Sequence, residues 1–469
     1  MPNIDRGGPD DMKKKCALLL LAAVLLGLLS GCFRSVDELY SLPKLPEEYQ
    51  NLQAKIEEIT GAGAEYSAPP RGVNNQPVQH KDLDGDGVME AIAFFRVSTA
   101  SADEKPLKIY IFRLTDSGYE VGAAIEGDGS AIQSITYEDV NGGPAKELVV
   151  SWLSGGNATT LSVYSVERFE VTELMRSSYN SFKLQDLDMD NRKELVLVRM
   201  DPIEGRNRVE FWDSDGDSLL LRSSAMLSQG VTELVTDSLK VPFVQEGYLR
   251  GDTPVPALFV TSYQGEEILT DIFAWRDEAL VNITMEENEP GSEIAGGVSY
   301  ITRRDKDDAK ITDINGDNVL EIPMPVDMAS SDSVVTAEVL YEWVQFDLSG
   351  KGVKVFTTYH NFKDNWYFIL PESWEGRVDV TQYASSGEEA TVFSLTGAAG
   401  EEGESVLTIY KLTGPNRHMR ARMGGRFTLD QDENTIYSAE LTGTRDYGLD
   451  QADVLERFCQ SKTDWSSGT

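Results

Sequence analysis

The sequence predicts a mainly β protein: a β-propeller of about five blades followed by a small C-terminal α+β domain. Three observations predict it. An acidic phrase recurs along the chain, short strands rich in β-branched and aromatic residues follow each copy, and helical periodicity is scarce. At 469 residues the chain is also too long for one ordinary hydrophobic core, so that several folding units are expected.

The recurring phrase reads Asp-x-(Asp/Asn)-x-Asp-x-x-x-Glu. Full copies begin at Asp82, Asp186 and Asp313, and a further copy that begins at Asp139 has Gly143 in place of its third acid. Carboxylates at alternate positions of a tight turn repel one another unless a cation lies between them. Each full copy therefore predicts a calcium ion with a structural role.

Calcium takes about six to eight oxygen ligands, which we expect from the side chains at positions 1, 3, 5 and 9 and from the carbonyl at position 7. An EF-hand is excluded because its twelfth position would be Ala93, Leu197 or Met324, none of which is an acid. A metal-free Asx turn remains the alternative. The predicted ligands are Asp82, Asp84, Asp86, Val88 and Glu90; Asp186, Asp188, Asp190, Arg192 and Glu194; Asp313, Asn315, Asp317, Val319 and Glu321; and, as a weaker set, Asp139, Asn141 and Glu147.

Each acidic phrase opens a unit of similar internal order. An apolar strand such as Ala91 to Phe95 follows the phrase, then a polar turn, a strand with aromatic residues such as Lys108 to Phe112, a hairpin turn and one more strand. Phrase and unit together resemble the FG-GAP/VCBS-type repeats that form the blades of integrin-α-like β-propellers, over residues 69–360. We count five such units, with six or seven blades left open, and we place a unit without the phrase at Val235 to Asn282.

The N-terminal residues predict export and lipid anchoring. Basic residues from Lys13 precede an apolar run that ends in Leu29-Ser30-Gly31-Cys32, which resembles a bacterial lipobox. Residues 1–31 are thus predicted to be a lipoprotein signal peptide, with Cys32 as the lipidation site; an uncleaved anchor helix is the alternative. Residues 32–68 are predicted to be a tether with a short helix from Glu47 to about Thr60.

Residues 361–469 are predicted to form the C-terminal α+β domain, which ends in a helix that begins near Asp450. That helix should carry Cys459 as a buried thiol. Trp366 and Trp374 are predicted to pack in the core, with a ligand groove as the alternative. The basic segment from Arg417 to Arg422 is predicted to be a solvated strand, with an anion site as the alternative.

The net charge of −36 disfavours nucleic acid as a partner and favours cations. The sequence contains three histidines but no Gly-x-Ser-x-Gly, His-Glu-x-x-His or phosphate-loop motif. The predicted function is therefore a calcium-binding lipoprotein outside the cytoplasm, held to the bacterial cell membrane by its lipid, that binds or scaffolds a protein or glycan partner. The alternative is an envelope hydrolase or lyase with an active site in the propeller channel.

Overall fold

The computed structural model describes residues 47–98, 104–201, 205–237, 240–285, 297–304, 309–326, 328, 340–396, 403–442 and 448–461. The predicted signal peptide, Cys32 and the first part of the predicted tether lie outside these residues. Within them, every helix is too short or too polar to span a lipid bilayer.

Antiparallel sheets that follow one another along the chain make up most of the described structure. The first sheet contains β1 (Ala64–Tyr66), β2 (Val78–Lys81), β3 (Glu90–Val97), β4 (Leu107–Thr115) and β5 (Gly118–Gly127), in the order β1-β3-β4-β5 with β2 also on β3. The second contains β6 (Ala131–Glu138), β7 (Glu147–Leu153), β8 (Thr159–Glu167) and β9 (Glu170–Ser178). The third contains β10 (Ser181–Gln185), β11 (Glu194–Arg199), β12 (Arg208–Ser214) and β13 (Leu219–Met226).

The fourth sheet is the unit that lacks the acidic phrase. It contains β14 (Glu233–Leu234), β15 (Val244–Leu249), β16 (Val255–Gln264), β17 (Glu267–Arg276), β18 (Ala279–Asn282) and β19 (Thr302–Arg304). Its central strands, β16 and β17, are buried along most of their length, which explains why the sequence shows continuous apolar runs there rather than alternation. The unit predicted at Val235 to Asn282 lies within this sheet, which extends further to Arg304.

The last two sheets are interleaved in the chain. The fifth contains β20 (Ile322–Val326), β21 (Leu340–Phe346), β22 (Gly352–Asn361) and β23 (Trp366–Ile369). The sixth contains β24 (Val378–Ser385), β25 (Glu388–Leu395), β26 (Glu404–Thr413), β27 (Phe427–Gln431) and β28 (Thr435–Leu441). The chain then returns to the fifth sheet, where β29 (Phe458–Gln460) pairs with β23. The fifth sheet thus continues past residue 361, where the C-terminal domain was predicted to begin.

Apolar side chains join each sheet to the next. One cluster joins the first and second sheets and includes Phe94 and Trp152, and another joins the third and fourth and includes Phe211 and Phe273. Similar clusters lie between the second and third sheets, the fourth and fifth, and the fifth and sixth. The prediction of a mainly β fold with successive blade-like antiparallel sheets is confirmed.

Helix α1 (Glu47–Gly61) covers the other face of the first sheet. Leu52 and Ile56, one turn apart on the helix, are buried against Ala93 and Phe95 of β3. The predicted helix of the tether therefore packs on the first sheet. In the part of the chain that the structure describes, this helix covers the apolar outer face of the first sheet in the series.

Two short helices belong to the C-terminal part, α2 (Arg417–Arg420) and α3 (Gln451–Arg457). The Asp450 carboxylate accepts hydrogen bonds from the backbone N–H groups of Ala452 and Asp453, so the predicted N-cap is confirmed. Cys459, however, lies in β29 rather than on the helix, because α3 ends at Arg457.

Candidate metal-binding loops

Each acidic phrase forms a loop that leads into a strand of its sheet. We call these the Asp82 loop (82–90), the Asp139 loop (139–147), the Asp186 loop (186–194) and the Asp313 loop (313–321). The first three connect β2 to β3, β6 to β7 and β10 to β11, and the last precedes β20. The phrase thus occupies an equivalent place in four of the sheets.

In each full loop, the carboxylates accept hydrogen bonds from backbone N–H groups of the same loop. In the Asp82 loop, Asp82 accepts hydrogen bonds from the N–H groups of Gly85 (2.8 Å) and Gly87 (3.1 Å), and Asp86 accepts one from Val88 (2.7 Å). The bonds to the sixth and seventh residues recur in both other full copies, and the bond to the fourth recurs in the Asp313 loop. These Asx-type turns explain why acids occupy alternate positions, since each one caps a nearby backbone donor.

Two positions of the loop have positive φ. The fourth is Gly85, Gly142, Met189 or Gly316, with φ from 64° to 79°, and the sixth is Gly87, Asn191 or Asn318 in the full copies, with φ from 69° to 86°. Glycine and asparagine adopt this left-handed region most easily. Met189 is the exception, and its side chain is exposed at the tip of the Asp186 loop.

The ninth-position glutamate turns inward in all four loops. Glu90, Glu147, Glu194 and Glu321 are at most 3% exposed. Each accepts a hydrogen bond of 2.8–3.0 Å from the backbone N–H of the second residue of its own loop: Leu83, Val140, Leu187 and Ile314, respectively. A buried carboxylate requires a partner for its charge, either a cation or a bound proton.

Burial sets the protonation of these glutamates in the absence of a cation. It raises the pKa of Glu194 to about 8, with a further contribution from Asp188, Asp186 and Asp190. It raises the pKa of Glu321 to about 7, although the Ile314 N–H and the Gln345 amide oppose the shift. Burial likewise raises the pKa of Glu90 and of Glu147.

These pKa values predict a pH dependence of stability in the presence of a chelator. Glu194 keeps its proton in the folded chain up to about pH 8, whereas an unfolded chain releases it near pH 4.5. The stability that this proton contributes is complete below pH 4.5 and is lost as pH rises through 8, so the melting temperature in chelator should fall between pH 5 and pH 8. Glu194→Gln should reduce this fall of the melting temperature with pH, because glutamine has no proton to release. A melting temperature that stays level or rises over this range would contradict the assignment.

The carboxylates of each full loop converge to different extents. Four ligand oxygens, from Asp186, Asp188, Asp190 and Glu194, lie within 4.8 Å of one another. The other two full loops bring three together: Asp82, Asp84 and Asp86 in one, and Asp313, Asp317 and Glu321 in the other. Glu90, although predicted as a ligand, is not in the tight group of its loop.

The donor set fits calcium. All of the side-chain donors are oxygens, which a hard divalent cation prefers over nitrogen or sulfur. Within the Asp186 loop, Asp186 Oδ1 is buried and has no hydrogen-bond partner, which leaves one carboxylate oxygen available to a cation. The Val88, Arg192 and Val319 carbonyls are the predicted seventh-position ligands of the three full loops.

In the Asp139 loop, a side chain of the loop itself donates a hydrogen bond to the buried glutamate. Asn141 Nδ2 donates to Glu147 Oε1 at 2.7 Å, so that a side-chain amide partners the buried carboxylate where the full copies have a third acid nearby. Gly143 N–H closes the turn by donating to Asn141 Oδ1 at 2.8 Å. The replacement of the third acid by Gly143 was the sequence signal for a weaker site.

Neighbouring loops touch one another. The Lys146 N–H of the Asp139 loop donates to the Leu83 carbonyl of the Asp82 loop at 2.7 Å. On the other side, Lys193 of the Asp186 loop forms an ion pair at 3.0 Å with Glu138, the last residue of β6, which immediately precedes the Asp139 loop. A Cβ on Gly85 would lie 2.6 Å from the Pro144 carbonyl oxygen, so this fourth position must be glycine for packing as well as for its backbone conformation. The first three loops therefore form one row along the edge of the sheets.

Sequence reasoning missed Gln345 of β21. Its Nε2 donates to Asp317 Oδ2 (2.8 Å) and to Glu321 Oε1 (2.7 Å) and so bridges two predicted ligands of the Asp313 loop. The only available signal was strand register: β20 and β21 pair Ile322 with Val344, which brings Gln345 opposite Glu321. A single sequence does not reveal that register.

The remaining polar residues that the sequence singled out do not form a common site. His360 is buried among the rings of Tyr341, Trp343, Phe362 and Tyr367, and burial lowers its pKa to about 3. His80 lies in β2 beside Tyr49 and Tyr119.

Trp366 and Trp374 are at most 2% exposed and belong to the core between the fifth and sixth sheets, as predicted.

The basic segment also differs from its prediction. Arg417 to Arg420 form helix α2 rather than a strand. Arg417 donates to the Gly414 and Glu433 carbonyls, and Arg420 donates to the Ser386 carbonyl. Two of its arginines therefore hold neighbouring turns together, which disfavours the alternative that the segment is an anion site.

No protein family profile matches the chain, and no curated protein matches it. Among solved structures, a protein from Lactobacillus plantarum has 7% identity and a TM-score of 0.26, over 72% of this chain and 85% of that one. The Dos1 propeller has 8% identity and a TM-score of 0.24, over 76% of this chain and 90% of that one. Likenesses at these scores carry no argument about function.

Proposed function

We propose that the chain is a calcium-stabilised binding or scaffold module, built of FG-GAP/VCBS-type repeats and held to the outside of a bacterial cell membrane by a lipid on Cys32. One observation carries the proposal: in three loops of equivalent position, at least three carboxylates converge, and each loop also holds a buried glutamate. Calcium would supply the positive charge that these oxygens require, and the loops would then be fixed in one conformation. Millimolar calcium outside the cytoplasm would suffice even for weak sites.

The surface beside the loops supports a binding role. Val88, Met89 and Met189 are 40–56% exposed at the Asp82 and Asp186 loops, beside acidic side chains. Exposed apolar residues rimmed by polar ones are typical of surfaces that bind other proteins. A partner that docks on this row of loops would sense whether calcium is present, because the ions would fix the loops that carry these side chains.

A pull-down from envelope extract tests the binding role. The full chain should capture a partner in calcium and lose it in chelator, and an Asp188→Asn variant should capture less at the same calcium concentration. A glycan array with the same two samples distinguishes a glycan from a protein partner. Capture that is identical in calcium and in chelator would contradict a calcium-dependent surface.

The lipid anchor gives a separate prediction. Cys32→Ser should move the chain from the membrane fraction to the soluble fraction, because the substitution removes the thiol that would carry the lipid. Fractionation of cells that express each form, followed by immunoblotting, measures the change. Cys459→Ser is the matched control and should stay in the membrane fraction. A Cys32→Ser variant that stays there as well would contradict lipidation at this residue.

A further inference from the structure

The strand next to each loop places a different residue opposite the ninth-position glutamate. In the third sheet Leu195 pairs with Trp212, so the following residue, Asp213, lies opposite Glu194. The same register puts Gln345 opposite Glu321, Ser165 opposite Glu147 and Arg113 opposite Glu90. These four residues occupy one structural position, which we call the cross-strand position.

The contacts of Gln345 show that the cross-strand position reaches the loop. Its amide donates to two loop oxygens, those of Asp317 and Glu321, as described above. Opposite the Asp186 loop, the cross-strand position carries a carboxylate, that of Asp213 in β12. Arg192 lies between the two acids there, with its Nη2 at 2.7 Å from Asp190 Oδ2 and 3.7 Å from Asp213 Oδ1.

We infer that Asp213 is a further determinant of metal affinity and makes the Asp186 loop the strongest calcium site of the chain. This inference rests on the proposed calcium binding. Asp213 places a further carboxylate beside the four that converge, although outside their group, in the loop where Asp186 Oδ1 has no hydrogen-bond partner and Glu194 is 2% exposed. The Asp186 loop and its cross-strand position together hold five carboxylates, against four for the Asp82 loop and three for the Asp313 loop.

The other two full loops are expected to bind calcium more weakly, each for a different reason. At the cross-strand position of the Asp82 loop, Arg113 adds a positive charge, although it is 49% exposed and lies 3.7 Å from Glu120. At that of the Asp313 loop, Gln345 is neutral and adds no negative charge; its amide binds two ligand oxygens, as Arg192 binds Asp190 in the Asp186 loop, so the missing carboxylate is the difference between the two loops. The expected order of calcium affinity is the Asp186 loop, then the Asp82 loop, then the Asp313 loop.

Two arginines near Asp213 reduce its effect without cancelling it. Arg192 and Arg222 lie 3.7 Å from its carboxylate, and their side chains are 41% and 42% exposed. At that exposure solvent screens them, and both can turn outward when a divalent ion enters. Asp213 itself is 23% exposed, so its field in the loop is screened less than that of the arginines.

Two reciprocal substitutions in the full chain test the inference by calcium titration calorimetry. In a background where Asp84→Asn and Asp317→Asn weaken the other full loops, Asp213→Asn should weaken calcium binding about tenfold, and Asp213→Glu should largely retain it. In a background of Asp84→Asn and Asp188→Asn, Gln345→Glu should strengthen binding to the Asp313 loop. Asparagine keeps the oxygen that accepts from the Ser214 N–H, so the hairpin should remain intact.

The outcomes separate the inference from the proposed function. If the Asp186 loop binds calcium and Asp213→Asn binds it equally well, the inference is wrong and calcium binding stands. If the Asp186 loop binds no calcium in the parent background, the inference is wrong; if the unmodified chain binds none either, both fail. An equal melting temperature of parent and Asp213→Asn in chelator, together with the affinity loss in calcium, would show that the residue acts on the metal rather than on folding.

Discussion

Calcium is expected to raise the melting temperature of the soluble form of the chain, from Ser35 onward, by about 5 °C or more. A ligand that binds only the folded state stabilises it by about 2.7 kcal/mol per site at 100 times its dissociation constant. In a chain of this size each kcal/mol corresponds to about 2–4 °C or somewhat less. Above the raised pKa of the buried glutamates the ion neutralises an unpaired buried charge, so the shift should be larger there than at lower pH, where the ion must displace a proton.

Scanning calorimetry in calcium and in chelator measures this shift. Magnesium at the same concentration is the first control, because its rigid octahedral geometry suits these loops less well and it should stabilise the chain less. Asp188→Asn is the second control and should reduce the calcium-induced shift, while an equivalent change in the Asp139 loop, Asp139→Asn, should leave the shift nearly unchanged. A melting temperature that does not respond across a calcium titration would contradict metal stabilisation.

Removal of the C-terminal return is expected to destabilise the chain by at least about 4 kcal/mol. A chain that ends at Gly448 loses Val454, which is fully buried, and Phe458, which is 9% exposed and packs on Trp366 and Tyr437 with ring centroids 5.4 and 5.5 Å apart. Loss of one buried aromatic side chain alone costs about 3–5 kcal/mol. The truncation also removes the hydrogen bonds between β29 and β23.

A chain that ends at Ser461 is the matched control, because it keeps α3, β29 and the hydrogen bond from the Ser461 N–H to the Asn365 carbonyl. Chemical denaturation of both truncated forms compares their free energies of unfolding. The point variant Phe458→Ala should lie between them, which separates loss of side-chain packing from loss of the strand. Equal stability of the two truncated forms would mean that the fifth sheet does not depend on the returning strand.

Local sequence signals predicted most elements and the loops. Apolar and aromatic runs located β3, β7, β11 and β16, because each strand is buried along most of its length and needs such residues. The acidic phrase located the loops, because each carboxylate bonds a backbone donor within five residues. The N-cap at Asp450 followed from equally local chemistry.

Contacts between distant residues were not predictable from the sequence. Gln345 meets Glu321 only through strand register, and β29 returns to β23 across the whole sixth sheet. Cys459 was assigned to a helix because α3 and β29 are continuous in sequence, with no turn residue to mark the boundary. Helix α2 was missed because its four residues are too few to show periodicity, and its arginines bind carbonyls of other turns.

The most direct test of calcium in the loops is a crystal structure of the soluble form grown in millimolar calcium, with anomalous diffraction data that locate the ions. We expect a peak inside the Asp82, Asp186 and Asp313 loops, within about 2.3–2.6 Å of carboxylate oxygens, and none in the Asp139 loop. Loops that are empty of anomalous density in that crystal would contradict the account.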